Sequence, residues 1–92
     1  MKIVVKPLFL RDLDRVRSKE IKLLLDEKLN QIEKATTVSN ITGLKQLRGF
    51  KTHYRIKVDS ESSKYRIGAI IRKEKIWLVR FLPRKAIYLE FP

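Results

Sequence analysis

Residues 53–58 read His-Tyr-Arg-Ile-Lys-Val, so polar or basic side chains alternate with apolar ones. Successive side chains of a β-strand point to opposite faces, and this alternation therefore predicts a strand with one apolar face. The apolar members are expected to face a core, while Arg55 and Lys57 project together from the other side. A row of cations on a rigid sheet indicates a surface that binds a polyanion.

Two further strands are predicted after this one, over residues 64–72 and 76–82. A polar loop over 59–63 separates the first two strands, and a tight turn near 73–75 separates the last two, which is typical of an antiparallel meander. The last run, Ile-Trp-Leu-Val-Arg-Phe-Leu, is almost wholly apolar, as in a central strand covered on both faces, and Trp77 is expected in the core. Pro83 is expected to end this strand. Residues 84–88 are expected to form a turn or a brief helical segment.

The first half of the chain is predicted to be mainly helical. Residues 3–5 form a short β-branched strand, and Pro7 suits the first turn of a helix. Ser18 is predicted to cap a second helix, because apolar residues recur from 21 to 35 at steps of three and four. The chain is therefore predicted to adopt an α+β fold, with an N-terminal strand and two helices packed on an antiparallel meander. Its length allows one domain over residues 1–92.

The positive charge is concentrated in the second half of the chain. Residues 45–85 contain 13 Lys or Arg and 3 Asp or Glu, a net charge of +10, whereas residues 1–44 carry only +3. This uneven distribution indicates binding to nucleic acid or to an acidic protein.

Several classes of site and location are disfavoured by composition. The chain has no cysteine, which excludes disulfides, thiolate zinc sites and thiol nucleophiles, and its one histidine argues against a metal site built on imidazoles. No apolar run approaches the roughly 20 residues that span a membrane, and the apolar N-terminal stretch is too short for a signal sequence. A cytoplasmic protein without a metal or organic cofactor is expected.

Four short motifs occur in a fixed order after these helices. They are Leu47-Arg48-Gly49-Phe50, Tyr54-Arg55-Ile56-Lys57, Tyr65-Arg66-Ile67 and Arg84-Lys85-Ala86-Ile87-Tyr88. Together with the order of the elements, these motifs resemble the RelE/ParE superfamily of type II toxins. The resemblance implies a compact fold like that of small microbial ribonucleases and an activity held in check by a cognate antitoxin. RelE-like members cleave mRNA in the ribosomal A site, whereas ParE-like members poison DNA gyrase.

The basic and aromatic positions of the RelE-type pattern are all occupied in this sequence. The resemblance implies that the catalytic residues are Arg55, Lys57, Arg66, Arg84 and Tyr88. Many relatives carry histidine where this chain has Pro83, which removes one possible acid–base group. The retained set favours a ribosome-dependent mRNA endoribonuclease that works without metal. The alternatives are a ParE-like gyrase inhibitor and a catalytically inactive relative that only binds antitoxin or nucleic acid.

RNA cleavage through the 2′-hydroxyl suits these residue types. The reaction needs a proton acceptor, positive charge for the pentavalent transition state, and a proton for the departing 5′ oxygen. Arg66 and Arg84 are assigned to transition-state stabilisation, since guanidinium groups can fork onto phosphate oxygens. Lys57 could act as base if neighbouring cations lower its pKa. Tyr88 is expected either to carry a proton or to stack on a base.

Further cations have two open interpretations. Some are candidate RNA-binding residues, and the same positions are also consistent with a solvated surface; they are Lys45, Arg48, Lys51 and Lys85. His53 lies on the side of Arg55 and is either incidental or a participant in proton transfer. The partners that the resemblance implies are a RelB-like antitoxin, the ribosome with its mRNA, and operator DNA bound jointly with the antitoxin.

Overall fold

A five-stranded sheet with three helices forms the structure, a computed structural model that describes residues 1–92. The elements in chain order are β1 (Lys2–Val5), α1 (Pro7–Asp14), α2 (Lys19–Lys34), a 3-10 turn (Val38–Asn40), β2 (Leu44–Gln46), β3 (His53–Asp59), β4 (Lys64–Arg72), β5 (Lys75–Pro83) and α3 (Arg84–Glu90). The strand order is β1-β5-β4-β3-β2. Only β1 and β5 are parallel, and the other neighbours are antiparallel. The predicted α+β class is therefore confirmed.

The predicted meander corresponds to β3, β4 and β5, with bounds within one residue of those expected. The N-terminal strand is also confirmed as β1, which joins the far side of β5. One strand was not predicted: β2 pairs with β3 through Leu44, Lys45 and Gln46. A strand of only three residues carries no readable period, so its formation depends on the partner strand.

The two N-terminal helices cover one face of the sheet. Pro7 opens α1, and the hydroxyl of Ser18 accepts a hydrogen bond from the backbone N–H of Ile21 at 3.1 Å, as predicted for an N-cap. The apolar side of α2 joins a continuous core with the inner residues of the sheet. The segment after α2 is held by Lys28, whose ammonium donates to the carbonyl oxygen of Thr42 at 2.8 Å. Its burial lowers the pKa of Lys28. None of the three helices has the length and apolar character needed to cross a bilayer.

The third helix packs on the opposite face of the sheet. Ile87 and Phe91 are buried there with Leu47. The ring of Phe91 lies directly over Gly68, close enough that a Cβ atom at this position would lie 2.7 Å from the ring. A side chain larger than hydrogen at Gly68 would therefore collide with Phe91. Gly68 is required here because α3 and its C-terminal extension approach the strand so closely.

Trp77 is not in the core, contrary to the expectation from its apolar strand. It pairs with Ile70 and is only partly buried. The reason is that α3 has only seven residues and covers the part of this sheet face near Pro83, where β5 ends and α3 begins. The other half of the face, which contains Trp77, has no helix over it.

Asp12 is a buried carboxylate that links α1 to β5. Its side chain is 4% exposed and accepts hydrogen bonds from Nε and Nη2 of Arg80 at 2.8 and 3.1 Å, and from the backbone N–H of Phe81 at 2.9 Å. The hydrogen bond with Asp12 raises the pKa of Arg80. Arg80 also lies 3.7 Å from the carboxylate of Glu90. It therefore bridges the helices on the two faces of the sheet.

Candidate functional site

An exposed tyrosine lies between two arginines at the start of α3. Arg84 and Tyr88 are four residues apart in one helix, so their side chains share a face. Nε of Arg84 donates to the hydroxyl of Tyr88 at 3.3 Å. From β3, the guanidinium carbon of Arg55 lies 4.4 Å from the centroid of the Tyr88 ring. Tyr88 nevertheless remains 49% exposed. Three residues from the predicted catalytic set are thus in direct contact at an accessible surface.

The surrounding positive charge changes the acidity of this phenol. The hydrogen bond from Arg84 is the largest cause that lowers the pKa of Tyr88, and the charges of Arg84, Arg55 and Arg66 add to it, whereas desolvation opposes it. The same hydrogen bond raises the pKa of Arg84. A phenol whose anion is stabilised in this way can exchange a proton closer to neutral pH than a free tyrosine can. Tyr88 is therefore suited to proton transfer.

The side chain of Arg66 is fixed by an ion pair with Asp59. It is 6% exposed, and its Nη1 donates to Asp59 at 2.6 Å and to the carbonyl oxygen of Tyr65 at 2.8 Å. Part of its guanidinium is therefore committed to the sheet, while its charge still acts on Tyr88. We refer to Arg55, Arg66, Arg84 and Tyr88 as the α3 cluster.

Asp59 was missed by the sequence analysis, which assigned it to a loop. The register of the β3–β4 hairpin supplies the signal that could have identified it. Lys57 pairs with Arg66, and Asp59 lies two residues after Lys57 on the same face of β3. Asp59 is therefore the diagonal neighbour of Arg66 across the two strands. Cross-strand and diagonal neighbours of opposite charge interact on a sheet face.

Arg55 connects the α3 cluster to a basic cavity. Its Nε atom is buried and has no hydrogen-bond partner, which leaves one donor unused. Arg55 also lines a cavity of about 600 Å³ together with Lys45 and Arg48, two of the predicted RNA-binding residues. Lys45 is directly opposite Arg55 in the β2–β3 pair. Lys51 is exposed nearby but does not line this cavity.

A second depression lies on the other side of Tyr88. It has a volume of about 510 Å³ and is lined by Arg84, Tyr88, Pro83, Lys64 and the predicted RNA-binding residue Lys85. Lys64 was not singled out in the sequence. It shares strand parity with Arg66, and this parity could have identified it.

Lys57 lies opposite Arg66 in the β3–β4 pair but forms no hydrogen bond with the α3 cluster. It is exposed on β3 and lines a separate cavity of about 290 Å³ with Lys28 and Gln31 of α2. It forms no ion pair and no side-chain hydrogen bond. No hydrogen bond therefore connects Lys57 to Tyr88 for a direct proton transfer.

His53 has a packing role in the structure. Its ring lies 4.7 Å from that of Phe50 and 5.7 Å from that of Phe91, measured between centroids. Its Nδ1 is 3.1 Å from the hydroxyl of Thr52. The ring thus helps to hold Phe91 over the sheet rather than extending into solvent as a strand-end side chain. No group of three or more His, Asp or Glu side chains is arranged to hold a metal ion.

The α3 cluster can bind and polarise a phosphodiester. Two guanidinium groups contact one phenol, the charge of a third acts on it, and none of the four side chains is a carboxylic acid. Guanidinium groups stabilise negative charge on phosphoryl oxygens as it develops, and the phenol can move a proton. The basic cavities on either side of Tyr88 extend the positive surface in two directions.

Comparison with known proteins identifies the family. No protein-family model matches the chain. The chain is 32% identical over 96 residues to Toxin RelE3 of Methanocaldococcus jannaschii, and the alignment covers both proteins in full. Its fold matches a chain of the RelB–RelE antitoxin–toxin complex from Methanococcus jannaschii with a TM-score of 0.77 and 26% identity, covering 97% of this chain and 99% of that one. With this identity over its full length and the shared fold, the chain belongs to the RelE toxin family.

Proposed function

We propose that this chain is the toxin of a type II toxin–antitoxin pair and acts as a ribosome-dependent mRNA endoribonuclease. Residues 1–92 would work as one toxin domain. Membership of the RelE toxin family supports the toxin assignment. The observation that carries the ribonuclease assignment is the contact of Tyr88 with Arg84 and Arg55, because it joins a phenol of lowered pKa to two guanidinium groups at an accessible surface.

In the proposed reaction, the 2′-oxygen attacks the adjacent phosphorus and the bond from phosphorus to the 5′ oxygen breaks. The products are a 2′,3′-cyclic phosphate and a 5′-hydroxyl. The phenolate of Tyr88, stabilised by the hydrogen bond from Arg84, accepts the proton of the 2′-hydroxyl, and water protonates the departing 5′ oxygen. Arg84 and Arg55 bind the phosphoryl oxygens as their charge increases. The step needs no metal ion, since arginine supplies the positive charge.

Arg66 and Lys57 have more distant roles in this proposal. Arg66 is largely buried and paired with Asp59, so within the cluster it supplies positive potential and rigidity and does not bind the phosphoryl group directly. Lys57 lies opposite Arg66 and faces a cavity that Asp59 also lines, and it is assigned to binding the RNA backbone. This assignment differs from its expected role as a base, which would require it to reach the 2′-hydroxyl.

The cations beside the cluster are proposed to hold the flanking nucleotides. Lys45 and Arg48 share a cavity with Arg55, and Lys85 borders Tyr88 on the other side. Lys51, exposed after β2, would extend this contact to the ribosome. Because binding is mostly electrostatic and the site lacks a conventional carboxylate or histidine pair, cleavage of free RNA should be slow and positioning by the ribosome should be required.

A cognate antitoxin is the proposed regulator. The structural neighbour is an antitoxin–toxin complex, and the net charge of +12 on this chain favours an acidic, RelB-like partner that covers the basic surface. The two proteins together are proposed to bind their operator DNA.

The test is induction of the wild-type chain and of Arg84→Ala and Tyr88→Phe variants in cells, with the 5′ ends of a reporter mRNA mapped. The reporter is made with and without its start codon. We expect growth arrest and cuts only in the translated message, and loss of both in the two variants. Lys22→Ala, which removes an exposed cation of α2, serves as the matched control and should cut like the wild type.

Two results would contradict the proposal. Arrest with intact mRNA would identify the gyrase-inhibitor alternative, to be followed by a supercoiling assay. No arrest, although the protein accumulates in folded form, would identify an inactive relative that only binds antitoxin or nucleic acid.

A further inference from the structure

A second basic surface lies on the same sheet face as the α3 cluster, at the other end of β5. Its centre is Trp77, which is partly buried on the part of the face that α3 leaves open. The ammonium of Lys75 is 5.4 Å from the centroid of the indole ring. Trp77 and Arg72 together line two cavities, of about 840 and 240 Å³. A partly exposed aromatic ring thus lines both depressions of a basic surface.

The charge around Trp77 is positive and not neutralised by ion pairs. Six cations and two acids line the two cavities; the cations are Lys2, Lys6, Lys34, Arg72, Lys73 and Lys75, and the acids are Glu33 and Glu74. The three ion pairs of the protein involve none of these eight residues. The net charge of +4 on this surface is therefore available to an external polyanion.

We propose that this surface, which we call the Trp77 platform, binds single-stranded RNA, with a base stacked on Trp77 and the phosphates held by Arg72, Lys75 and Lys6. Surfaces that combine an aromatic ring with a positive groove bind single strands, because every base has a face to stack and every nucleotide carries a phosphate. An acidic protein would use the cations, but only a nucleic acid presents both a stackable ring and a phosphate at every unit. A duplex would keep its base faces inside the stack.

The distance between the two sites fits a single RNA strand that crosses both. Trp77 and Pro83, which precedes α3, are six positions apart, and a strand rises about 3.3 Å per residue, so the sites lie about 20 Å apart. About six stacked nucleotides at 3.4 Å span this length. The platform would therefore bind RNA several nucleotides away from the bond that the α3 cluster is proposed to cut. The choice of RNA rests on the proposed function, but binding at the platform does not require cleavage.

Trp77 is the only tryptophan of the chain, so its fluorescence reports directly on stacking. The experiment titrates the purified chain with a short single-stranded RNA carrying 2′-O-methyl groups, which cannot be cut through the 2′-hydroxyl. We expect strong quenching of Trp77 that saturates and weakens with added salt. Tyr88→Phe should show the same quenching, which separates this site from the α3 cluster. Arg72→Ala should weaken binding, whereas Lys22→Ala, with the same loss of charge on α2, should not.

Variants of Trp77 test stacking by the anisotropy of a labelled RNA. Trp77→Leu should bind about fivefold or more weakly, the lower end of the effect of removing one base–aromatic stack, and Trp77→Phe should retain part of the affinity. Circular dichroism establishes whether the variants are folded. If Trp77→Leu does not fold, Trp77→Phe still tests the contribution of stacking.

Three outcomes would overturn the proposal. The first is RNA binding without a change in Trp77 fluorescence, and the second is equal affinity of the wild type and Trp77→Phe and Trp77→Leu. The third is equal quenching by heparin, an acidic peptide and RNA, which would assign the surface to charge alone or to a protein partner. Each of these results is independent of whether Tyr88→Phe abolishes cleavage in cells.

Discussion

Gly68→Ala is expected to displace the end of α3 from the sheet. A Cβ atom at position 68 would lie 2.7, 2.8 and 2.9 Å from Cγ, Cδ2 and Cδ1 of Phe91. Carbon atoms in contact normally lie about 3.5–4.0 Å apart, so the ring must move by about 1 Å or leave its site. Phe91 is only 4% exposed and packs with Ile87 of α3. The helix that carries Arg84 and Tyr88 is therefore affected by a methyl group on β4.

The cost of this substitution can be bounded in two ways. Overpacking a well-filled site typically costs about 1–3 kcal/mol. If the ring instead swings into solvent, the loss is the burial of one phenylalanine, about 1.5–3 kcal/mol. Both routes predict that Gly68→Ala lowers the free energy of unfolding by about 1–3 kcal/mol. For a chain of this size, each kcal/mol corresponds to a drop in Tm of about 4–8 °C.

A double-mutant cycle with Phe91→Ala measures the clash itself. Urea unfolding is followed for the wild type, both single variants and the double variant. In the Phe91→Ala background, Gly68→Ala should cost nothing or stabilise by about 0.5–1 kcal/mol, because alanine loses less conformational entropy than glycine in a strand. An equal cost of Gly68→Ala in both backgrounds would refute the close approach of Phe91. The single variant should also lose growth arrest if the position of α3 determines activity.

Further outcomes are expected from other contacts. Asp12→Ala should lower the free energy of unfolding by about 3–5 kcal/mol, because it leaves Arg80 without its buried partner. As a control, Asp14→Ala on the exposed side of α1 should change the free energy of unfolding by less than about 0.5 kcal/mol. Urea unfolding of both variants measures this difference. Ser18→Ala should cost about 1 kcal/mol through loss of the N-cap of α2, and an unchanged Tm would contradict that role. In a tyrosinate absorbance titration, Tyr88 should ionise below its ordinary pKa of 10.0, and Arg84→Ala should raise that value. Because the pKa of Tyr88 is lowered in the folded state, ionisation of Tyr88 adds to stability only as pH rises through that pKa, and its contribution is complete above 10.0. Equal phenol titrations of the wild type and Arg84→Ala would contradict the hydrogen bond from Arg84 as the cause of the lowered pKa.

The parts of the fold that sequence predicts well are those with a readable period. The alternation in β3 and the steps of three and four in α2 each extend over several residues, and both elements form at the expected places. The strand β2 has three residues and no period, so only pairing with β3 defines it. Trp77 was placed in the core because its strand is apolar, but the extent of α3 decides which outward residues of β5 are covered.

The contacts of the candidate site also fall into those that sequence spacing predicts and those that depend on the tertiary fold. Arg84 and Tyr88 meet because they are four residues apart in a short helix, which sequence spacing suggests. The contact of Arg55 with Tyr88 and the pairing of Arg66 with Asp59 depend on helix placement and strand register. Asp12 and Arg80 are 68 residues apart in sequence, and no local pattern relates them.

The carboxylate of Asp12 also has a consequence for solubility. β1 ends at Val5, opposite Leu78, and the remaining part of β5 has no strand beside it on that side. An uncovered strand edge is a template on which another chain can add its own strand. By accepting the N–H of Phe81, Asp12 occupies the position that an incoming strand would need. Its loss should therefore produce dimers and larger aggregates through edge-to-edge pairing, even at temperatures where the variant remains folded.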